Sequence, residues 1–142
     1  MIKNTEFIKK LRTSGLRPTK QRLKICEVLF DRDSTFHFTI GDLVKNISDK
    51  VNEKISLATV YNTVHAFKEK GYLKEISINS DKSYFDTNTS VHHHFFDEDT
   101  NELIDCDENH IESINVKKNI TGKKINSVEV LIKVASDNHN QN

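Results

Sequence analysis

Hydrophobic residues recur at helical spacing through the first thirty positions and predict two helices there. Apolar positions three and four residues apart predict a first helix that Asn4 or Thr5 caps and that ends near Thr13. A second apolar run follows and places Pro18 in its first turn, where the missing N–H costs nothing. Its broad apolar face includes Cys26, which we expect to be a small core residue.

Two more helices follow, and each has a clear start. Thr39 is a suitable cap for a third helix, and Ser56 is a suitable cap for a fourth. Lys68 and Lys70 lie in the last turn of the fourth helix, and Gly71 stands where a left-handed terminating residue is expected. The core-facing stripe of this helix is predicted to hold Val60, Val64 and Phe67.

Strand patterns replace helical ones after Gly71. Two short alternating runs surround a turn at residues 79–81 and predict a β-hairpin. Short helices followed by a hairpin are typical of a winged helix, in which the second helix of a helix-turn-helix enters the major groove of DNA. Residues 1–88 are therefore predicted to be a winged-helix DNA-binding domain.

The second part of the chain predicts a small α/β domain, which makes the fold class α+β. Strands are expected on both sides of a turn at 99–101, with a helix over 108–124 and a strand over 125–135. About 50 residues bury too little surface to stand alone, so we expect residues 89–136 to be a dimerisation domain completed by a second copy. Residues 137–142 are predicted to be a disordered polar tail.

Charge divides the chain at the same place. Residues 1–90 carry 16 Lys and Arg against 11 Asp and Glu, a net charge of +5, while residues 91–142 carry 5 against 10, a net charge of −5. The basic part is suited to a polyanion such as DNA. No apolar run approaches the roughly 20 residues of a membrane span, and no secretory signal is evident, so we expect a cytoplasmic protein with no membrane partner.

The basic segment and the fourth helix carry groups suited to double-stranded DNA. Phosphate contacts are expected from Lys10, Arg12, Arg17, Thr19, Lys20 and Arg22. Small, polar and amide side chains on the fourth helix suit base edges, because Asn can bind adenine through two hydrogen bonds and Thr can touch thymine. These candidates are Ser56, Thr59, Tyr61, Asn62 and Thr63. A solvated polar helix face is the alternative interpretation.

Three consecutive histidines, His92, His93 and His94, lie inside a chain that has seven in all. A purification tag is a poor explanation, because tags stand at termini. On a strand, His92 and His94 would face one way and His93 the other. These residues alone leave open a metal site, a haem ligand and a solvated strand.

Four segments occur in order: LRPTKQRLKICEVL, FHFTIGDL, LATVYNTVHAFKEKGYL and HHHFFDEDTNELID. Together they resemble the ferric uptake regulator superfamily over roughly residues 8–134. The resemblance implies a winged helix joined to an α/β dimerisation domain. It also implies metal-responsive transcriptional control, usually repression, by a homodimer on a pseudo-palindromic operator. The last two segments look most like the iron response regulator branch, whose members respond to iron through haem.

The resemblance also implies a regulatory metal site with the ligands His37, Asp86, His94 and Asp105. Two imidazoles and two carboxylates suit Zn, Mn or Fe(II). Each domain would supply two of the four ligands, so a bound ion would bias the angle between the domains.

Two further metal sites of the superfamily are not expected in this chain. Its four-cysteine zinc site lacks the C-x-x-C pair, which Asp97 and Thr100 replace. A second site would lose two of its four ligands, with His139 as a weak substitute. The positions of that second site are Val91, His93, Glu112 and Val128.

Haem binding is expected at His92, His93 and His94 if the chain follows the haem-responsive branch. Phe95 and Phe96 would then cover the porphyrin. A Cys-Pro haem motif is excluded, because the single proline is Pro18, so an imidazole is the expected axial ligand.

Other functions remain as alternatives. A regulator of the same superfamily that responds to Zn, Mn or peroxide is the nearest one. An effector-independent winged-helix protein would bind DNA equally with and without metal or haem. A hydrolytic metalloenzyme would need an open coordination position and a general base, and no spacing such as H-E-x-x-H occurs, so the chain is predicted not to be an enzyme.

Overall fold

The computed structural model describes residues 2–51, 54–107 and 109–137, so His139 and the rest of the predicted tail lie outside the described residues. The chain divides into two compact units, Met1–Thr89 and Ser90–Asn142. Within the described residues, no helix has the length and apolar character that crossing a membrane requires.

The first unit has four helices and a small sheet. The helices are α1 (Ile2–Thr13), α2 (Lys20–Phe30), α3 (Ile40–Val51) and α4 (Leu57–Lys70), and the strands are β1 (His37–Phe38), β2 (Lys74–Ser77) and β3 (Ser83–Asp86). β3 is central and pairs antiparallel with both neighbours, in the order β1-β3-β2. The predicted hairpin is therefore present as β2 and β3. Strand β1 adds a third strand to it, and its two residues are too few to show the alternation of apolar and polar positions that predicts a strand.

Two predicted helix starts are wrong. Helix α1 begins at Ile2, so neither Asn4 nor Thr5 caps it, because nothing in those first residues breaks a helix. Helix α2 is capped by Thr19, whose Oγ1 accepts the backbone N–H of Arg22 at 3.3 Å. Pro18 consequently lies before the cap and outside the first turn.

The other caps are as predicted. Thr39 Oγ1 accepts the N–H of Asp42 at 3.1 Å at the start of α3, and Ser56 Oγ accepts that of Thr59 at 3.1 Å at the start of α4. Gly71 ends α4 in the left-handed region at φ 89°. These local hydrogen bonds satisfy amides that would otherwise lack a partner at the helix start.

A single apolar core joins the helices of the first unit to the sheet. Apolar side chains from all four helices and from two strands are almost completely buried. They are Leu11, Ile25, Leu29, Leu43, Ile47, Val60, Val64 and Phe67 from the helices, and Phe38 and Phe85 from the strands. Cys26 is also fully buried, as predicted, and burial raises the pKa of its thiol to about 12.

The described part of the second unit is a three-stranded sheet. Strand β4 (His93–Asp97) lies between β5 (Glu102–Cys106), which is antiparallel to it, and β6 (Leu131–Val134), which is parallel. The predicted turn between β4 and β5 is present, with Asn101 in the left-handed region at φ 60°.

The predicted helix over 108–124 is wrong. Within the described residues 109–130 the backbone forms neither helix nor strand. Asn, Ser, Thr, Ile and Val are weak helix formers, and Gly122 adopts φ 77°, so too little local preference supports a helix. The described residues of this domain therefore form a sheet without a helix, and the predicted strand over 125–135 shortens to β6. With the helices and the hairpin of the first unit, the chain has the predicted α+β fold class.

Candidate metal and nucleic-acid sites

Two imidazoles of the second unit converge on one carboxylate. His94 is 3% exposed on β4 and faces its register partner Asp105 on β5. The Nε2 atoms of His92 and His94 each lie 3.3 Å from Asp105 Oδ1, and the two ring centroids are 4.3 Å apart. Ligand atoms from these three residues all lie within 4.8 Å of one another, which is compatible with one bound ion.

His92 is held in the tautomer that a metal ligand needs. Its Nδ1 lies 2.7 Å from the carbonyl oxygen of Ser90, and because a carbonyl only accepts, Nδ1 carries the proton. In the neutral ring the lone pair is then on Nε2, which points to Asp105. Backbone carbonyls commonly orient metal-binding histidines in this way. The family resemblance assigns His92 only to a haem site, although its i, i+2 relation to His94 puts both residues on one face of a strand.

His93 faces the opposite side of the sheet, as strand alternation predicts. Its Nδ1 accepts the N–H of Val130 at 2.9 Å, so in the neutral ring the proton is on Nε2. The ring lines a cavity of about 600 Å³ that Val91, Glu112 and Val128 also line. These four residues are the predicted positions of the superfamily's second metal site, and the side chains of two of them are aliphatic.

The first unit carries an imidazole–carboxylate pair of its own. His37 on β1 and Asp86 on β3 are register partners, and His37 Nε2 lies 3.0 Å from Asp86 Oδ2. Asp86 is completely buried, and its Oδ1 accepts the N–H of Asn88 at 2.8 Å. The pairing of β1 with the central strand therefore fixes both side chains. Each unit thus presents nitrogen and oxygen donors of the kind that Mn, Fe(II) and Zn accept.

The exposed face of α4 is narrower than predicted. Thr63 is completely buried and its Oγ1 donates to the carbonyl oxygen of Thr59 at 2.7 Å, so its assignment as a DNA contact is wrong. The reason is geometric: residue 63 is three positions after Val60, on the same side of the helix as Val60, Val64 and Phe67. The hydroxyl of Thr63 suggests an exposed residue, but the position belongs to the core-facing side of the helix.

Other residues of α4 do face solvent. Tyr61 is 51% exposed and Asn62 is also exposed. Leu57 in the first turn is 61% exposed, although an apolar residue at that position is typical of a core position. The hydroxyls of Ser56 and Thr59 lie 2.8 Å apart at the cap, where both serve the helix start.

The predicted phosphate contacts divide into two groups. Arg12, Arg17, Thr19 and Lys20 are exposed around the loop between α1 and α2. Arg22 beside them donates from Nη1 to the carbonyl oxygen of Arg17 at 2.9 Å, while its buried Nε has no hydrogen-bond partner among the described residues. Lys10 differs, because its ammonium lies over two aromatic rings, 4.4 Å from the Phe30 centroid and 4.2 Å from that of Tyr72.

Comparison with known proteins identifies the family. The profile of the ferric uptake regulator family matches residues 13–134. The peroxide-responsive repressor PerR of Staphylococcus epidermidis is 36% identical over 100 residues, which are 70% of this chain and 65% of that protein. The peroxide operon regulator of Bacillus subtilis is also 36% identical over 100 residues, 70% of this chain and 67% of that protein. The match thus spans about two thirds of the length of these relatives.

A solved structure shares the fold. The ferric uptake regulator of Pseudomonas aeruginosa, determined with manganese, aligns at a TM-score of 0.63 with 22% identity, over 96% of this chain and 98% of that one. The family profile covers most of the chain, and the fold agrees with it. The chain belongs to the ferric uptake regulator family, whose members are metal-responsive transcriptional regulators and not enzymes.

Proposed function

We propose that this chain is a metal-dependent, DNA-binding repressor whose divalent ion is held by His37, Asp86, His92, His94 and Asp105. The observation that carries the proposal is the convergence of the His92 and His94 Nε2 atoms on one oxygen of Asp105. Two imidazoles aimed at one carboxylate, with one ring fixed by a backbone carbonyl, form a site suited to a metal ion.

Coordination chemistry supports sharing of the ion between the two units. Zn takes four ligands, and Mn or Fe(II) in nitrogen and oxygen sites commonly take more. The second unit supplies three donor residues, and the first unit supplies the His37–Asp86 pair, so neither set alone completes such a site. Shared ligands would make metal occupancy control how the DNA-binding unit is held, which is the regulatory step of the proposal.

Calorimetric titration with Mn(II) tests the site. We expect one ion per chain, and at least a tenfold loss of affinity in His37→Ala, His92→Ala and His94→Ala, since lost ligands and their supporting groups typically cost 10- to 100-fold. His93→Ala is the matched control, because its ring faces away from Asp105, and it should bind Mn(II) like the unaltered protein. Two ions per chain, or an affinity that His37→Ala leaves unchanged, would contradict the shared site.

The DNA-binding face of the proposal is the exposed side of α4 with the basic loop before α2. Asn62 and Tyr61 would contact base edges, and Arg12, Arg17 and Lys20 would contact phosphates. In this proposal the protein binds two DNA half-sites as a homodimer. Because its ligand is DNA, the proposed location is the cytoplasm.

Peroxide is the proposed signal, because the two relatives that match at 36% identity are named as peroxide-responsive regulators. Fe(II) is readily oxidised by peroxide, whereas Mn(II) is not. The Fe(II)-loaded protein should therefore lose its affinity for a selected duplex after brief exposure to peroxide, and the Mn(II)-loaded protein should keep it. Electrophoretic mobility shifts under anaerobic conditions measure both, and equal loss with either metal would contradict a metal-centred response.

Haem is the second candidate signal, supported by the resemblance of the triple-histidine segment to the iron response regulator branch. A haem ligated by His93 would have to displace the Val130 N–H, and one ligated by His92 or His94 would compete with Asp105. Of the two phenylalanines, Phe96 is only 4% exposed, so porphyrin cover would fall to Phe95. A haem titration run beside the Mn(II) titration distinguishes the two signals. If haem is the signal, we expect a Soret shift on adding haem, and a variant in which all three histidines are changed to Ala should not show it.

A further inference from the structure

His65 lies one turn after Tyr61 on α4, and the rings of the two residues are in contact. Their centroids are 4.1 Å apart, with 40° between the ring planes. On its other side, the His65 ring meets the ring of Phe85 on β3 edge to face, with centroids 5.6 Å apart and an interplanar angle of 83°. His65 therefore stands between the exposed surface of α4 and the sheet.

We propose that His65 is a positioning residue for DNA recognition, which holds the Tyr61 ring in the orientation that contacts a base. The proposal rests on the proposed DNA-binding function, in which Tyr61 is one of the side chains that face the major groove. It assigns His65 a role in sequence preference, although the histidine itself need not touch DNA.

The first support is the exposure of Tyr61. A tyrosine that is half exposed on a helix surface samples several rotamers and loses that freedom when it binds. A ring in contact with it from position i+4 restricts it before binding, since residues four apart lie on the same face of a helix. Less ordering is then left to occur when the duplex arrives.

The second support is that His65 is itself fixed from behind. Phe85 is 2% exposed and stacks on Phe38, with centroids 5.8 Å apart. Both phenylalanines belong to the packed core of the first unit. The series Tyr61, His65, Phe85 and Phe38 therefore runs from the surface of α4 into rigid packing.

The third support is the open space beside these rings. A cavity of about 380 Å³ lies between α4 and the β2–β3 hairpin, and Tyr61, His65 and Phe85 all line it. Without the imidazole, the tyrosine ring would have room to turn away from its exposed position. Because this space is open, we attribute the restriction of Tyr61 to its ring contact with His65.

Fluorescence anisotropy with two duplexes tests the proposal. One duplex is selected from a random 30-base-pair library by the Mn(II)-loaded protein, and the other is a scrambled version of it. We expect His65→Ala to lose roughly three- to tenfold in affinity for the selected duplex, the range of an aromatic pair, and to bind the scrambled duplex normally. His65→Phe keeps both ring contacts and should restore affinity to within about twofold.

A double-mutant cycle separates positioning from a direct contact. If His65 acts through Tyr61, then His65→Ala should have no further effect on the selected duplex in a Tyr61→Ala background. His65→Gln, which keeps helix propensity and polarity without a ring, should behave like His65→Ala and guards against an effect peculiar to alanine. Thermal unfolding of each variant checks that the fold is retained.

Several results would overturn the proposal. These are equal losses on both duplexes, additive losses in the double variant, and failure of phenylalanine to restore affinity. If Tyr61→Ala weakens selective binding and His65→Ala does not, the role of His65 is wrong while the DNA-binding function stands. If the protein selects no duplex at all with Mn(II), both fail together.

Discussion

At the scale of single residues, Lys10 illustrates how structure changes the meaning of a charge. Its ammonium lies within 4.4 Å of the ring centroids of Phe30 and Tyr72, and it joins α1 to the end of α2 and to the residue after Gly71. Thr13 Oγ1 and the Tyr72 hydroxyl, 2.7 Å apart, reinforce the same junction. From sequence, Lys10 looked like one phosphate contact among several, and its contacts here give it a role in holding the first unit together.

We therefore predict that Lys10→Gln lowers the free energy of unfolding by about 1 kcal/mol, within the range of a cation–π contact. Lys9→Gln is the matched control, because Lys9 is exposed one position away and should change stability by less than about 0.5 kcal/mol. Urea denaturation followed by circular dichroism measures both. If the two variants are equally stable and Lys10→Gln instead weakens binding to all DNA, Lys10 is a phosphate contact and the prediction is wrong.

Thr63 and His92 show which residue assignments sequence could make and which it could not. The spacing 60, 63, 64, 67 on α4 already marked residue 63 as a core position, but the hydroxyl suggested an exposed one. The pairs His37–Asp86 and His94–Asp105 were expected from the family resemblance, and within each unit the two partners do lie in contact. The role of His92 depended on the hydrogen bond from Nδ1 to Ser90, which no spacing reveals.

At the scale of elements, local signals explain why most helices were predicted correctly and why one was not. Helices α3 and α4 carry a capping hydroxyl and an apolar stripe, and α4 also ends at a glycine, so nearby residues determine their limits. Residues 108–124 contain many weak helix formers. Asp107 before them is a possible cap, but its Oδ1 accepts the N–H of Asn109 at 3.2 Å, two residues on, in a turn. Strand β1 has two residues and exists because β3 offers an edge, which is a tertiary effect that sequence periodicity cannot show.

The glycine that follows α4 and the glycine in the first turn of α3 should respond to alanine in opposite directions. Gly71 has φ 89°, and an added Cβ would meet nothing within 4 Å, so Gly71→Ala should cost about 1–2 kcal/mol from backbone strain alone. Gly41 lies inside α3, where an added Cβ would come no closer than 4.0 Å to Thr39 Oγ1. Gly41→Ala should therefore stabilise the protein by up to about 1 kcal/mol, because alanine is the better helix former.

Thermal unfolding of the two variants against the unaltered protein decides this prediction. A melting temperature that falls in Gly41→Ala would indicate that the start of α3 makes contacts that require glycine. An unchanged melting temperature in Gly71→Ala would mean that the end of α4 can rearrange without the left-handed residue.

At the scale of the whole molecule, the two units carry opposite net charge and differ in how completely each buries its own apolar side chains. The first has a closed apolar core, whereas the second leaves large apolar side chains exposed along its irregular segment. These are Ile114, Val116, Ile120 and Ile125, with exposures of 40%, 50%, 73% and 43%. Several exposed apolar side chains on a small domain are typical of a surface that another chain covers, which agrees with the proposed homodimer.

We predict that Ile120→Asp weakens the dimer by at least tenfold, because a charge buried without a partner costs several kcal/mol. Lys118→Asp lies two residues away at an exposed position and is the matched control, since it introduces the same side chain without removing an apolar one. Sedimentation velocity across a concentration series measures the dimer dissociation constant. A monomeric unaltered protein, or equal effects of the two changes, would contradict a dimer through this segment.

The deep burial of Cys26 has a practical consequence for following these events in solution. The chain has two cysteines, and the second, Cys106, is partly exposed at the end of β5 beside the proposed ligand Asp105. A maleimide dye should therefore label position 106 in the native state without any engineered cysteine. Its emission would provide an optical reporter next to the ion-binding carboxylate, and changes on adding Mn(II) or peroxide could be timed in a stopped-flow instrument.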